Sequence, residues 1–121
     1  MREEVEKWLE KAKRDLFASE INLNERLYEV SAFLSHQTVE KGLKALYILK
    51  FKKLWKTHDL KQLADRVNVP NKIIKICDAL NPHYVETRYP IDVDYNREMA
   101  EVALNNAKEV IKWVEKKIKR K

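Results

Sequence analysis

Three observations predict an all-α chain. Apolar residues recur every three or four positions over long stretches at both ends and in the middle of the sequence. One Gly and three Pro leave a turn-rich sheet architecture little to build with. Lys, Glu, Leu and Ala dominate, a composition that favours long helices. The expectation is an up-and-down antiparallel helical bundle of three long and two short helices, forming a single domain over residues 1–121.

The first helix spans residues 3–23, where Val5, Trp8, Leu9, Ala12, Leu16, Ser19 and Leu23 repeat on one face and Lys and Glu take the other. Asn22, Asn24 and Glu25 mark its exit, and the short connection that follows predicts a hairpin with the next helix. That second helix, Tyr28 to Phe51, carries Ala32, Leu34, Val39, Leu43, Ala45, Leu46 and Leu49 over a broad arc. A helix apolar around so much of its circumference touches several neighbours. Thr57 is the expected N-cap of a short third helix bearing Leu60, Leu63, Ala64 and Val67, with Asp59 behind it. Asn71 is the expected cap of a fourth helix that ends near Leu80. Val85 to Asp92 reads as the one long non-helical stretch, with Pro90 holding Tyr89 extended. The last helix runs from about Asp94 to Lys117, with Met99, Val102, Ala103, Val110, Trp113 and Val114 as its buried stripe and Asn106 within it.

At 121 residues the chain can bury one core without staples. Its lone Cys77 sits among Ile73, Ile74 and Ile76, as a small buried residue would, and excludes a disulfide framework or a Cys-based zinc site. Arg2 to Glu10 is charged throughout, unlike a signal peptide, and no apolar run approaches the roughly 20 residues that span a bilayer. A cytoplasmic protein with no membrane contact is expected. Charged residues make up 36% of the chain, which leans toward a thermophile source. A formal net charge of +6 favours an acidic partner such as a nucleotide or RNA. The tail Lys116-Lys117-Ile118-Lys119-Arg120-Lys121 also complements a helix C-terminus.

The chemistry concentrates midway along the second helix. His36, Glu40 and Lys44 fall one turn apart on a single stripe, with Gln37 and Lys41 on the adjoining one, and apolar residues lie above and below. Buried polar groups are costly unless paired, so the patch is either an internal network or the lining of a groove for phosphate or an acidic partner. Arg88 and Tyr89 stand out in the loop. Arg88 serves either as a guanidinium fork for an anion or as a salt-bridge partner that pins the loop to Glu40. His58, at a helix start, reads as a capping or packing residue. No nucleophile has a suggestive context and carboxylate clusters with metal-ligand spacing are absent; His36 and Glu40 have the spacing of two ligands but no third is indicated, so neither a metal nor a cofactor is expected.

The string Ala32-Phe33-Leu34-Ser35-His36-Gln37-Thr38-Val39-Glu40-Lys41-Gly42-Leu43-Lys44-Ala45 resembles the central helix of HEPN domains. Thr57-His58-Asp59-Leu60, Thr87-Arg88-Tyr89-Pro90 and a long last helix complete a resemblance that covers essentially the whole chain. It implies a helical bundle, usually a homodimer. It also implies a partner: stand-alone prokaryotic members are often encoded beside a small nucleotidyltransferase, as its nucleotide- or substrate-binding subunit or as half of a toxin–antitoxin pair. The matched residues Gln37, Glu40, Lys41, Lys44, Arg88 and Tyr89, together with His36, are the implied ligand-binding set. Other members are metal-independent ribonucleases that use an Arg followed, after four to six residues, by a His. Here nine residues separate Arg26 from His36, and no other Arg is better placed. The expectation is therefore a non-catalytic binding subunit. The alternative is a divergent nuclease, with His36 as general base and Arg88 facing the phosphate.

Overall fold

The computed structural model describes residues 2–90 and 93–119. Ile91 and Asp92 of the expected loop, and Arg120 and Lys121 of the basic tail, lie outside the described residues. The helices are α1 (Arg2–Asn24), α2 (Tyr28–Phe51), α3 (Leu60–Arg66), α4 (Asn71–Leu80), α5 (His83–Glu86) and α6 (Arg97–Lys119). Among the described residues there is no strand. The predicted bundle of three long and two short helices is what the chain forms, with the single turn α5 added.

The first two helices form the expected hairpin. Glu25, Arg26 and Leu27 connect them, with Arg26 in the left-handed region at a φ of 65°. Ser19 meets Ser31 and Ser35 near the hairpin's closed end, and Asp15 pairs with Lys41 further along. Helix α6 also runs antiparallel to α1, as Lys13–Glu115 and Glu20–Lys108 show. Consequently α2 and α6 point the same way, and α3, α4 and α5 carry the chain back between them.

Helix α2 is the axis of the core. Ala32, Val39, Leu43, Ala45 and Ile48 have no exposed surface, and they pack with Leu60, Leu63, Cys77, Leu80, Val110 and Val114. The single glycine explains how closely α6 approaches. A Cβ built on Gly42 would lie 2.9 Å from Ile111 Cδ1 and 3.7 Å from Val114 Cγ2. The isolated Cys77 is fully buried, and burial pushes its thiol up to about 12. Trp8 and Trp113 are half-buried against the same core.

Local chemistry shifts several boundaries. Asp59, not Thr57, caps α3: its carboxylate accepts from the backbone N–H of Lys61 and Gln62, while Thr57 Oγ1 accepts from Asp59 N–H. Asn81 donates to the same Asp59 oxygen at 2.9 Å, which is the largest of the influences that hold the Asp59 carboxyl below its usual range. Asn71 is the first residue of α4 rather than its cap, and Pro70 precedes it as a residue of extended geometry. Helix α6 begins later than the pattern implied, because Asn96 Oδ1 accepts from Met99 N–H and closes its first turn. Its buried face is Ala100, Ala103, Leu104, Ala107, Val110, Ile111, Val114 and Ile118, and Val102 is 53% exposed. The stretch expected to be non-helical from Val85 opens inside α5, and Thr87 Oγ1 bonds back to the His83 carbonyl.

Candidate functional site

The site is assembled from α2, the approach to α3, and α5. Helix α2 supplies His36 and Glu40, both essentially without exposed surface, and Lys44, which is 5% exposed. Lys44 Nζ donates to Glu40 Oε2 at 2.8 Å and lies 5.6 Å from the centre of the Trp8 ring. Glu40 Oε1 accepts from His58 Nδ1 at 3.1 Å, and His36 Nδ1 is 3.9 Å away. The carboxylate at the centre is thus shared among three nitrogen-bearing side chains.

A buried ion pair is a weak source of net stability, but removing one partner leaves a charge stranded in a low-dielectric interior. That asymmetry explains why Glu40 is so fully engaged. His36 takes the other route and stays neutral. Burial lowers its pKa to about 4, outweighing Glu40 and the His58 backbone, which favour the cation. Gln37 Nε2 lies 3.3 Å from His36 Nδ1, and His36 Nε2 has no protein partner among the described residues.

His58 connects this interior to the surface. With its Nδ1 on Glu40, its side chain is still 51% exposed. Its ring stacks on Tyr84 at 4.3 Å with a 15° interplanar angle. The Arg88 guanidinium carbon is 4.3 Å from the same ring centre, so with His58 on one face Arg88 takes the other. Arg88 also donates to the Tyr89 hydroxyl at 3.3 Å. Tyr89 is 53% exposed. The result is a surface column of His58, Tyr84 and Arg88, with Tyr89 beside it and Glu40 braced beneath.

The structure therefore gathers His36, Gln37, Glu40 and Lys44 into one network, and joins Arg88 and Tyr89 to it through Tyr84. Lys41 does not belong: it pairs with Asp15 on α1 and, with Lys7, Trp8 and Lys11, lines a separate surface hollow of about 280 Å³. The proposed Arg88–Glu40 salt bridge does not form, because Lys44 and His58 occupy the carboxylate and Arg88 is turned outward. Between the two readings left open for the α2 patch, its burial favours the internal network. Sequence reasoning set aside His58 and overlooked Tyr84. The Thr57-His58-Asp59-Leu60 string was the available signal for His58, and Tyr84 carried none beyond its place after Asn81-Pro82. Among the described residues no group of three or more His, Cys, Asp or Glu is placed to hold a metal. No described helix is long and apolar enough to cross a membrane.

Three solved structures resemble this one over nearly their whole length. TT1696 from Thermus thermophilus is 27% identical, with a TM-score of 0.86 over 93% of this chain and 97% of that one. ST0689, described as an archaeal HEPN homologue, is 28% identical, with a TM-score of 0.82 over 94% and 97%. An HEPN domain protein of Thermotoga maritima, tm0613, is 20% identical and shares the fold, with a TM-score of 0.73 over 94% and 98%. No curated protein matches the chain. The HEPN domain family matches residues 5–117. With that span and the bundle described above, the chain belongs to the HEPN domain family.

Proposed function

We propose that the protein is a non-catalytic binding subunit that holds a nucleotide-type ligand on the His58–Tyr84–Arg88–Tyr89 surface and works beside a small nucleotidyltransferase. The observation that carries the reading is the outward Arg88 guanidinium, which has no carboxylate partner among the described residues and is held against two tyrosine rings. An exposed, pre-positioned guanidinium suits a phosphate, and an exposed tyrosine suits stacking by a base. The buried Glu40–Lys44 pair keeps His58 and Tyr84 in register without itself touching ligand. The site is thus a surface ledge instead of a groove along α2. The missing Arg–His spacing and the burial of His36 both speak against the nuclease chemistry first considered.

A second reading has one specific observation in its favour. Glu40 holds His58 Nδ1, which leaves Nε2 of a half-exposed imidazole without a hydrogen-bond partner among the described residues, an arrangement suited to a general base. Metal-independent RNA cleavage would then depend on His58 and not on His36.

Calorimetric titration with ATP and an RNA-cleavage assay on the same sample separate the two. The binding reading expects saturable ATP binding, no cleavage, and at least about tenfold weaker binding in Arg88→Ala, since a charge-assisted contact contributes about 1.5–3 kcal/mol. Cleavage that survives chelator and disappears in His58→Ala would establish the second reading. Absence of ATP binding together with absence of cleavage would refute both.

A further inference from the structure

We propose that the cavity at the C-terminal end of α2 is a binding site for a small organic anion with an apolar body. It is distinct from the His58–Arg88 surface and independent of the function assigned there. The cavity measures about 620 Å³, within the range of small-molecule sites. Leu46, Leu49 and Val67 give it an aliphatic floor, and Lys50, Lys52 and Lys117 stand around it. No carboxylate lines it.

The ends of α2, α3 and α6 contribute to this region, and lysines near helix C-termini complement the helix dipoles. Lys50 Nζ donates to the Arg66 carbonyl and Lys52 Nζ to the Leu49 carbonyl, each at 3.0 Å and each exposed. An ammonium carries three donors, so one carbonyl contact leaves two free for a ligand. Lys117 Nζ lies 5.7 Å from the Trp113 ring centre and has no acidic partner among the described residues. Dipole complementation accounts for the sign of these charges. It does not account for three of them around an aliphatic floor with no counter-charge in the lining.

The backbone adds a second argument. Lys52 adopts the left-handed conformation, with a φ of 60°, at the position closing α2, where Gly is the common choice. A cation therefore stands at the cavity's edge where the backbone alone would favour glycine. Asn68, which also lines the cavity, is left-handed at a φ of 57° just beyond α3. These two left-handed residues, one closing α2 and one just beyond α3, both line the opening. Three ammonium groups would bind an oxyanion, and the leucine and valine floor would cover its body.

The test uses anilinonaphthalene sulfonate, an aromatic body bearing one anionic group, with its uncharged phenylnaphthylamine counterpart and inorganic phosphate as controls. The proposal expects saturable fluorescence enhancement at a single site, weakened at least about tenfold in Lys52→Gln/Lys117→Gln. It expects much weaker binding of the uncharged analogue and no competition by phosphate at equal concentration. Binding should persist in Arg88→Ala and in Phe17→Ser, which alters the exposed apolar face of α1. Absence of enhancement overturns the proposal, as does enhancement lost in Phe17→Ser or retained in the lysine double variant. Helicity by circular dichroism is checked for every variant. If the double variant loses helicity, single Lys50→Gln and Lys117→Gln variants carry the comparison under the same criteria.

Discussion

Two polar regions lie within a turn of each other inside the bundle, and they solve the same problem differently. Ser19, Ser31 and Ser35 have no exposed surface and satisfy one another between α1 and α2. Ser19 Oγ donates to the Ser31 carbonyl at 2.7 Å, Ser31 Oγ returns a bond to the Ser19 carbonyl at 2.9 Å, and Ser35 Oγ lies 2.9 Å from Ser19 Oγ. His36, next in sequence to Ser35, belongs to a network of ionisable groups that ends in an exposed imidazole. The serine cluster is neutral, compact and closed upon itself. The Glu40 network is charged, titratable and open at His58. Small hydroxyls let two helices approach at little desolvation cost, whereas a buried carboxylate must be held by donors from several elements. That difference marks the first region as packing and the second as a brace for the half-exposed His58 side chain.

The contrast is sharpest for Glu40→Ala. It strands the Lys44 ammonium and frees His58, and should cost about 3–5 kcal/mol. Urea unfolding would measure it, and a cost below about 1 kcal/mol would show that the network is not held through Glu40. Lys44→Met in the same background should recover part of the loss, because the stranded charge is then gone.

Acid should separate the regions next. The folded state holds His36 neutral, with its pKa lowered from 6.5 to about 4, so the unfolded chain binds more protons between those values. Stability from this residue is therefore complete above about pH 6.5 and is lost as pH falls toward 4. The expected loss is on the order of 3 kcal/mol. His36→Gln should flatten the stability profile across that window. An unchanged slope in the variant would assign the acid sensitivity to other groups. The serine cluster contributes no slope at any of these values.

The smallest effect is expected within that cluster. Ser19→Ala removes the shared hydroxyl and should cost about 1–2 kcal/mol, equally at neutral and acid pH. A marked pH dependence in this variant would mean that the two regions are coupled, and the separation drawn between them would fail.

Some of this was open to inspection in the chain. The period of Val5, Ala12, Ser19 and Leu23 marked the buried face of α1, and the apolar arc from Ala32 to Leu49 marked α2 as a helix with several neighbours. The stripe of His36, Glu40 and Lys44 was visible because it follows from helical geometry alone. On α6 the pattern was harder to read: Ala100, Leu104, Ala107 and Ile111 are buried, but alanines carry little hydrophobic signal, and the more apolar Val102 faces outward.

Periodicity within a helix is written in its own residues, so the three long helices, the buried arc of α2 and the polar stripe upon it were legible in the chain, whereas the single turn α5 was not. Contacts between segments distant in the chain are chosen by packing, and no local pattern encodes them. It took the folded arrangement to settle that Asn81 braces the Asp59 cap, that Lys41 turns to Asp15, and that Glu40 receives His58 in place of Arg88. The same packing placed Tyr84 between His58 and Arg88. The composition showed how many charges the chain carries. The fold determined which of them are buried together and which remain exposed.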